Sequence, residues 1–242
     1  MICVSVVSHG HGGMVAALVD QLLACPQVAQ IIVTRNIPEP ALLAEQPRLL
    51  QLENTMPQGF GANHNAAFTR CTQPRFCVMN PDIQLAGNPF ETLADALRHT
   101  RAAMVAPLIV SATGGLEDSV RRFPTPWTLV RKLVAGDRGG YAAPDGSQPF
   151  FPDWVAGMFM LFDSAMYAQL GGFDPGFFLY YEDVDLCARI WKAGHRVAVC
   201  PAARAIHDAR RASHRNPRFM AWHLSSMARY FFKHLGRLPR TA

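Results

Sequence analysis

The first 110 residues alternate short β-branched runs with amphipathic runs of helical spacing, and that alternation admits few folds. ICVSVV (2–7), QIIVT (30–34), RLLQLE (48–53), RFCVMN (75–80) and AAMVAPLIV (102–110) read as strands. Between them MVAALVDQLLA (14–24), GFGANHNAAFTR (59–70) and NPFETLADALRHT (88–100) read as helices, the last opened by an asparagine cap with proline in its first turn. Parallel strands need long crossovers, and helices supply them. The expectation is therefore an α/β domain whose mostly parallel central sheet is flanked by helices. Ligands of such a sheet bind outside the carboxyl ends of its strands.

The second half is less regular. Residues 111–150 are rich in Gly, Pro, Asp and Arg, with only PWTLVRKLV (126–134) of helical character. Irregular stretches this long tend to be lids or binding loops, and GDRGGYAAPDGSQPF (136–150) is expected to close over a ligand. WVAGMFMLF (154–162) reads as one buried strand, Asp163 as the cap of SAMYAQLGG, and EDVDLCARIWKAG (182–194) as a helix ended by Gly194. HRVAVC and ARAIH come next as two short strands, then a closing helix over 217–235. Met220, Leu224, Met227, Phe231 and Leu235 form its apolar stripe, with Arg218, Arg229, Lys233 and Arg237 largely apart. Such a basic amphipathic helix suits packing on the domain or contact with anionic lipid.

A chain of 242 residues fits one large domain, and its 50% apolar content excludes global disorder. The net charge of +5 suits a phosphate-bearing ligand or an anionic membrane surface, and does not by itself require nucleic acid. The six cysteines are scattered without a Cys-x-x-Cys pair, as expected of buried free thiols in a reducing cytoplasm. Residues 2–7 read as a strand with no basic segment ahead of them, so no signal peptide is expected. No uncharged stretch approaches the roughly 20 apolar residues of a spanning helix. The expectation is a cytoplasmic protein, peripheral at most at the inner face of the membrane.

Several clusters can carry chemistry. VMNPDI (78–83) ends a strand with Asp82 at the rim, where a carboxylate suits a hard divalent cation shared with phosphates; Pro-Asp also makes an ordinary turn. YYEDVDLCARIWKAG (180–194) crowds Glu182, Asp183 and Asp185 into one helical turn. Such acids complement a helix dipole. Mutual repulsion and aromatic neighbours would also raise a carboxyl pKa and suit one of them as a general base. His207 comes just after a strand and would complete a metal site if it met Asp82 in space. GFGANHN (59–65) offers backbone N–H groups and amides to a nucleobase or phosphate, or is a plain βα turn. HGHGG (9–13) fails the dinucleotide fingerprint, because its third glycine would fall at Val15. Arg121 and Arg122 suit a diphosphate, or are solvated surface charge.

The order of these motifs resembles the family-2 glycosyltransferases of GT-A fold, especially the bacterial rhamnosyltransferase-like branch. VSVVSHG, IIVTRN, GFGANHNAAF, VMNPDI, WVAGMFMLFDSAMYAQLGGFDPGFFLYYEDVDLCARIWKAG and ARAIH carry the resemblance from Ile2 to about Phe232. RRFPTP and SHRNPRFMAWHLSSMARYF resemble the rhamnosyl branch in particular. The resemblance implies a nucleotide-sugar-binding half (1–110), an acceptor-binding and catalytic half (111–216) and an amphipathic helix (217–242). It makes Asp82 and His207 the ligands of a divalent cation, Mg²⁺ or Mn²⁺. Asp183 becomes the base on the acceptor hydroxyl, with Glu182 supporting it. Ser8, His9, Asn36, Gly61, His64, Asn65, Asn80, Arg121 and Arg122 fall to the nucleotide-sugar, and Trp154 and Gly157 to the acceptor. Asn80 stands where the first acid of the family's D-x-D usually is, His9 replaces an aromatic, and Arg35 replaces a base-reading aspartate.

The same resemblance implies inverting transfer of L-rhamnose from dTDP-L-rhamnose to a cell-surface glycan or lipid-linked acceptor, in polysaccharide or lipopolysaccharide assembly. Two other readings compete. Arg35 after the second strand could greet the 2′-phosphate of NADP in an oxidoreductase, and the Asn80 and Arg35 departures would permit a nucleotide-sugar-binding protein without catalysis.

Overall fold

The computed structural model describes the chain except for residues 41–42, 136–139, 142–145, 208–216, 235 and 240–242. Ten strands and seven helices are described. In order they are β1 (Ile2–Ser8), α1 (Gly13–Leu23), β2 (Val28–Arg35), β3 (Leu49–Glu53), α2 (Phe60–Phe68), β4 (Arg75–Met79), β5 (Ile83–Leu85), α3 (Phe90–Thr100) and β6 (Met104–Val110). The second half adds β7 (Val120–Arg121), α4 (Pro126–Ala135), β8 (Trp154–Val155), β9 (Phe159–Asp163), α5 (Ser164–Gln169), α6 (Glu182–Lys192), β10 (Val197–His207) and α7 (Pro217–His234).

Eight strands form one sheet in the order β3-β2-β1-β4-β9-β6-β10-β5. It is parallel except that β9 runs against β4 and β6, and β5 against β10. The expected mostly parallel sheet flanked by helices is what the chain forms, and strands from both sides of residue 110 share it. Strand alternation divides the core. Ile2, Val4 and Val6 of β1 pack with α1 and α3, while Cys3 joins the cluster of Phe76, Tyr167, Phe173, Leu186 and Tyr230 on the other face. All six cysteines are free, five of them buried.

Three elements depart from expectation. WVAGMFMLF is two strands. Trp154–Val155 pairs with Val120–Arg121 in a separate ribbon, a turn over 156–158 intervenes, and only Phe159–Asp163 enters the main sheet. HRVAVC and ARAIH are one strand, β10, which skips register between Cys200 and Arg204. Pro201 lies in that gap, where a residue without an N–H breaks the ladder without ending the strand.

The third departure is α7. Of the expected apolar stripe, Met220 and Leu224 are exposed, Met227 and Phe231 half-buried, and Leu235 lies outside the described residues. The buried face is Ser226, Tyr230 and His234, at helical spacing. Polarity misleads here because α7 docks onto polar groups. Ser226 Oγ donates to the Leu179 carbonyl at 2.8 Å, and His234 Nε2 lies 2.8 Å from a carboxylate oxygen of Asp185.

Candidate active site

Asp82 and His207 meet because a short strand turns back. Pro81 and Asp82 form the turn after β4, and β5 then pairs antiparallel with β10, setting His207 opposite Ile83. His207 Nε2 lies 3.2 Å from Asp82 Oδ2. The other oxygen, Asp82 Oδ1, is buried and accepts no hydrogen bond. A carboxylate oxygen left without a donor costs free energy unless a ligand completes it, so the pair suits a divalent cation. Among the described residues no third His, Cys, Asp or Glu joins them. If Mg²⁺ or Mn²⁺ bound here, Asp82 and His207 would hold it and its other ligands would come from phosphate oxygens and water.

The turn over 156–158 connects this pair to the acids of α6. Asn80 N donates to the Met158 carbonyl at 2.8 Å, and Gly157 N donates to Asp183 Oδ2 at 2.9 Å. Asp183 Oδ1 accepts from its neighbour's amide, Val184 N, at 2.8 Å. Burial raises the Asp183 pKa, while the amides of Gly157 and Val184 and the nearby Arg121 pull partly the other way. Glu182 is buried, its Oε2 has no hydrogen-bond partner, and burial together with the Asp183 charge pushes its pKa well above the ordinary value. Burial thus raises both carboxyls, and only Asp183 has backbone amides that favour its charged form.

The third acid does something else. Asp185 is fully buried and accepts from Arg189 Nε at 2.8 Å, Lys233 Nζ at 2.7 Å and His234 Nε2 at 2.8 Å. Burial alone would raise its pKa, yet hydrogen bonds from His234, Arg189 and Lys233 prevail and hold it well below the usual carboxylate range. The three acids therefore do not repel one another as a group, since Asp185 faces a cationic cluster and leaves Glu182 and Asp183 as a pair.

At the other end of the sheet, β1 and β2 end side by side, with Ser8 opposite Arg35. Ser8, Gly12, Arg35 and Glu39 line a small cleft there. Arg35 is ion-paired with Glu53, while its Nε and Glu39 Oε1 are buried without hydrogen-bond partners. His9 is exposed, with its Nδ1 3.2 Å from Asn36 Nδ2.

The amides of the Gly-rich turn are not offered to a ligand. Asn36 Oδ1 accepts from Gln58 N at 2.8 Å and from Asn54 Nδ2 at 2.9 Å, and its Nδ2 donates to the Gln58 carbonyl. Asn63 donates to the carbonyls of Gln58 and Gly59. Asn65 joins Tyr167 Oη at 2.8 Å to the backbone N–H and C=O of Phe173. His64 has no exposed surface, its Nδ1 lies 2.9 Å from Ser5 Oγ, and burial lowers its pKa to about 3. These groups hold α2 against the sheet and α5. Gly61 serves the same packing, because a Cβ there would lie 2.5 Å from Phe173 Cβ.

Arg121 and Arg122 separate. Arg121 is paired with Asp118 and stands 5.7 Å from the Trp154 ring, on the Asp183 side; Arg122 lies 5.6 Å from the Tyr141 ring. Trp154 Nε1 donates to the Arg122 carbonyl at 2.8 Å, which closes the ribbon beside Gly157. Of the expected lid, residues 136–139 and 142–145 lie outside the described set. The sequence carries no comparable signal for Asn54, Gln58 and Asp118. Sequence reasoning missed the i,i+4 spacing of Asp185 and Arg189, a legible sign of an ion pair.

A family model described as "Glycosyltransferase like family 2" matches residues 3–231. Rhamnosyltransferase WbbL of Escherichia coli (strain K12) is 31% identical over 248 residues, covering 95% of this chain and 92% of that protein. N-acetylglucosaminyl-diphospho-decaprenol L-rhamnosyltransferase of Mycobacterium tuberculosis is 32% identical over 161 residues, 58% of this chain and 48% of that one. Among solved structures, GalNAc-T7 with UDP, GalNAc and Mn²⁺ superposes with a TM-score of 0.70 at 16% identity, over 87% of this chain and 43% of that one. The mannosyltransferase PcManGT from Pyrobaculum calidifontis, in complex with GDP-Man and Mn²⁺, gives 0.62 at 16% identity, over 96% and 64%. Both share the fold.

Proposed function

The chain belongs to the family-2 glycosyltransferases, and we propose that it transfers L-rhamnose, with inversion, from dTDP-L-rhamnose to a hydroxyl of a glycan or lipid-linked acceptor. One observation carries the reading: the Asp82–His207 pair and the Asp183 carboxylate are tied to the same turn, through Asn80–Met158 and Gly157–Asp183. A group that holds the leaving diphosphate and a group that takes the acceptor proton then flank one anomeric carbon.

In this mechanism Asp183 accepts the acceptor's hydroxyl proton as the oxygen attacks the anomeric carbon. The bond from that carbon to the diphosphate breaks on the opposite face, its electron pair leaves with the phosphate oxygen, and the configuration inverts. Asp82 and His207 would hold the divalent cation, Mg²⁺ or Mn²⁺, which when bound supplies charge neutralisation to the departing diphosphate. Glu182, buried beside Asp183, supports it, and the Asp183 carboxylate is the one held by the amides of Gly157 and Val184. The cleft at Ser8 and Arg35 receives the nucleobase side of the donor. His64 and Asn65 act through packing, and Arg121 acts near Asp183 rather than as a free diphosphate clamp. Family membership sets aside the NADP-dependent oxidoreductase.

The rhamnosyltransferases that the chain resembles support the sugar, and the Mn²⁺ in the two related structures supports the metal. Calorimetric titration with dTDP, UDP and GDP, with and without Mn²⁺, tests both. One nucleoside diphosphate should bind in a Mn²⁺-dependent way, and Asp82→Ala should abolish that dependence. Metal-independent binding, unchanged in the variant, would remove Asp82 and His207 as ligands.

Contact with the membrane is part of the proposal. No described helix is long and apolar enough to cross a membrane. Met220 and Leu224 nevertheless stand exposed one turn apart, and no Asp or Glu comes after Asp208. An apolar strip in an acid-free, basic segment suits an anionic surface. The double variant Met220→Ser, Leu224→Ser should sediment less with vesicles containing phosphatidylglycerol. Equal sedimentation of both proteins would exclude this face.

A further inference from the structure

The loop that leads into Asp183 is held in an unfavourable conformation and carries aromatic rings to the surface. Tyr180 and Tyr181 both have positive φ, 69° and 64°, which non-glycine residues adopt rarely and which gathers at functional sites. The loop is held from two sides. Phe60 N donates to the Phe178 carbonyl at 2.9 Å, and Gly59 leaves that carbonyl room, since a Cβ there would lie 2.7 Å from it. On the far side Ser226 of α7 holds the Leu179 carbonyl.

The aromatic side chains so placed divide into two groups. Phe173, Phe177 and Tyr230 are fully buried and fill the core. Phe178 is 38% exposed, and the Trp222 ring lies 4.7 Å from it at 35°, with Phe219 edge-on to Trp222 at 5.3 Å. Phe219 and Trp222 are only half-buried. Core packing accounts for the first group and not for the second. Tyr181 links the second group to the chemistry, because its ring lies 5.5 Å from that of His223, beside Trp222 in the chain, and its pKa, raised chiefly by burial, is raised further by the Asp183 charge.

We propose that Phe178 of this loop and Trp222 of α7 form a platform on which the sugar ring of a saccharide acceptor stacks, with its attacking hydroxyl turned toward Asp183. The inference rests on the transferase reading and goes beyond it by assigning α7 to the acceptor. Pyranose rings present C–H faces that match the negative face of an aromatic ring, and an aromatic surface on the loop before the base orients such a ring without charge. The occupant is a sugar rather than lipid alone because Phe178 stands on the loop that runs into Asp183, the group that must receive a hydroxyl proton. Met220 and Leu224, farther round the same helix, then lie where the apolar part of a lipid-linked acceptor would run.

The test is steady-state transfer from dTDP-L-rhamnose to N-acetylglucosamine diphosphate carrying a ten-carbon prenyl chain, alongside calorimetric binding of dTDP. Trp222→Ala should raise the acceptor KM roughly tenfold, the scale of a lost aromatic contact, with dTDP affinity unchanged, and Trp222→Phe should restore it. Phe178→Ala should act in the same direction. Unchanged acceptor KM in both alanine variants would overturn the platform and leave the transferase intact, and so would loss of dTDP affinity that parallels the change in KM. A wild-type protein that binds dTDP yet transfers nothing to this acceptor would overturn the saccharide assignment. One that binds no nucleoside diphosphate would overturn the transferase reading itself.

Discussion

Asp183→Asn is expected to lower kcat for sugar transfer by about 10²–10⁴-fold, the range for loss of a general base, while nucleoside diphosphate binding persists. The side chain keeps its shape and loses its ability to take a proton. The two carboxylate oxygens each accept one backbone N–H, from Gly157 and Val184, so the amide must give up one of these bonds at a cost of about 1 kcal/mol. A thermal melt separates that cost from the kinetic effect. The wild-type pH profile supplies a second reading. Burial raises the Asp183 pKa, so the base is inactive while protonated, and kcat rises with pH through a value above the ordinary carboxylate figure of about 3.9. The variant should lose that acid limb together with its activity. Turnover near the wild-type rate would remove Asp183 as the base.

Asp185→Ala is expected to cost about 3 kcal/mol or more of folding stability, because it takes the buried carboxylate away from Arg189 and from the buried His234 N–H, while Lys233 keeps Asp174. The carboxylate has no exposed surface and joins α6 to α7, and Arg189 extends the link to the carbonyls of Leu170 and Gly172. A urea midpoint measured against Asp183→Asn, which touches none of these groups, isolates the effect. The pH dependence has a definite sign. A carboxyl held below its ordinary pKa stabilises the fold fully above about pH 4, and that contribution is lost as pH falls through the depressed value. Wild type should therefore weaken in acid more steeply than Asp185→Ala. Parallel acid unfolding curves would show that the network carries little of the stability.

Much of the fold was legible because the central strands of the sheet are buried on both faces. β1, β2, β4 and β6 are continuous apolar runs whose identity depends on composition alone, and the helices between them carry their own period. The Asp163 cap was legible for the same local reason, and it does accept from Ala165 N and Met166 N. Asp82, Asp183 and His207 could be picked out as candidates, but each had an equally good local explanation.

What separates the two explanations is distance, and distance comes from register. His207 meets Asp82 only because β5 reverses against β10, and nothing in IQL or ARAIH encodes that pairing. The acids of α6 look alike in sequence and diverge in space. Asp183 faces Gly157 on a turn 26 residues away, and Asp185 faces His234, 49 residues away. The asparagines of GFGANHN looked free for a ligand, yet the backbone uses them first. The face of α7 was misread because hydropathy scores a side chain by its own polarity, whereas the partner decides burial. Ser226 and His234 bury well against a carbonyl and a carboxylate, while Met220 and Leu224 stay exposed among the described residues. Local periodicity and composition thus determined the elements, the sheet class and the list of candidate groups. Only tertiary structure decided which acid meets the Gly157 amide, which is tied into a cationic cluster and which lies beside a histidine, because a carboxylate's surroundings are the charges, donors and solvent that distant segments bring.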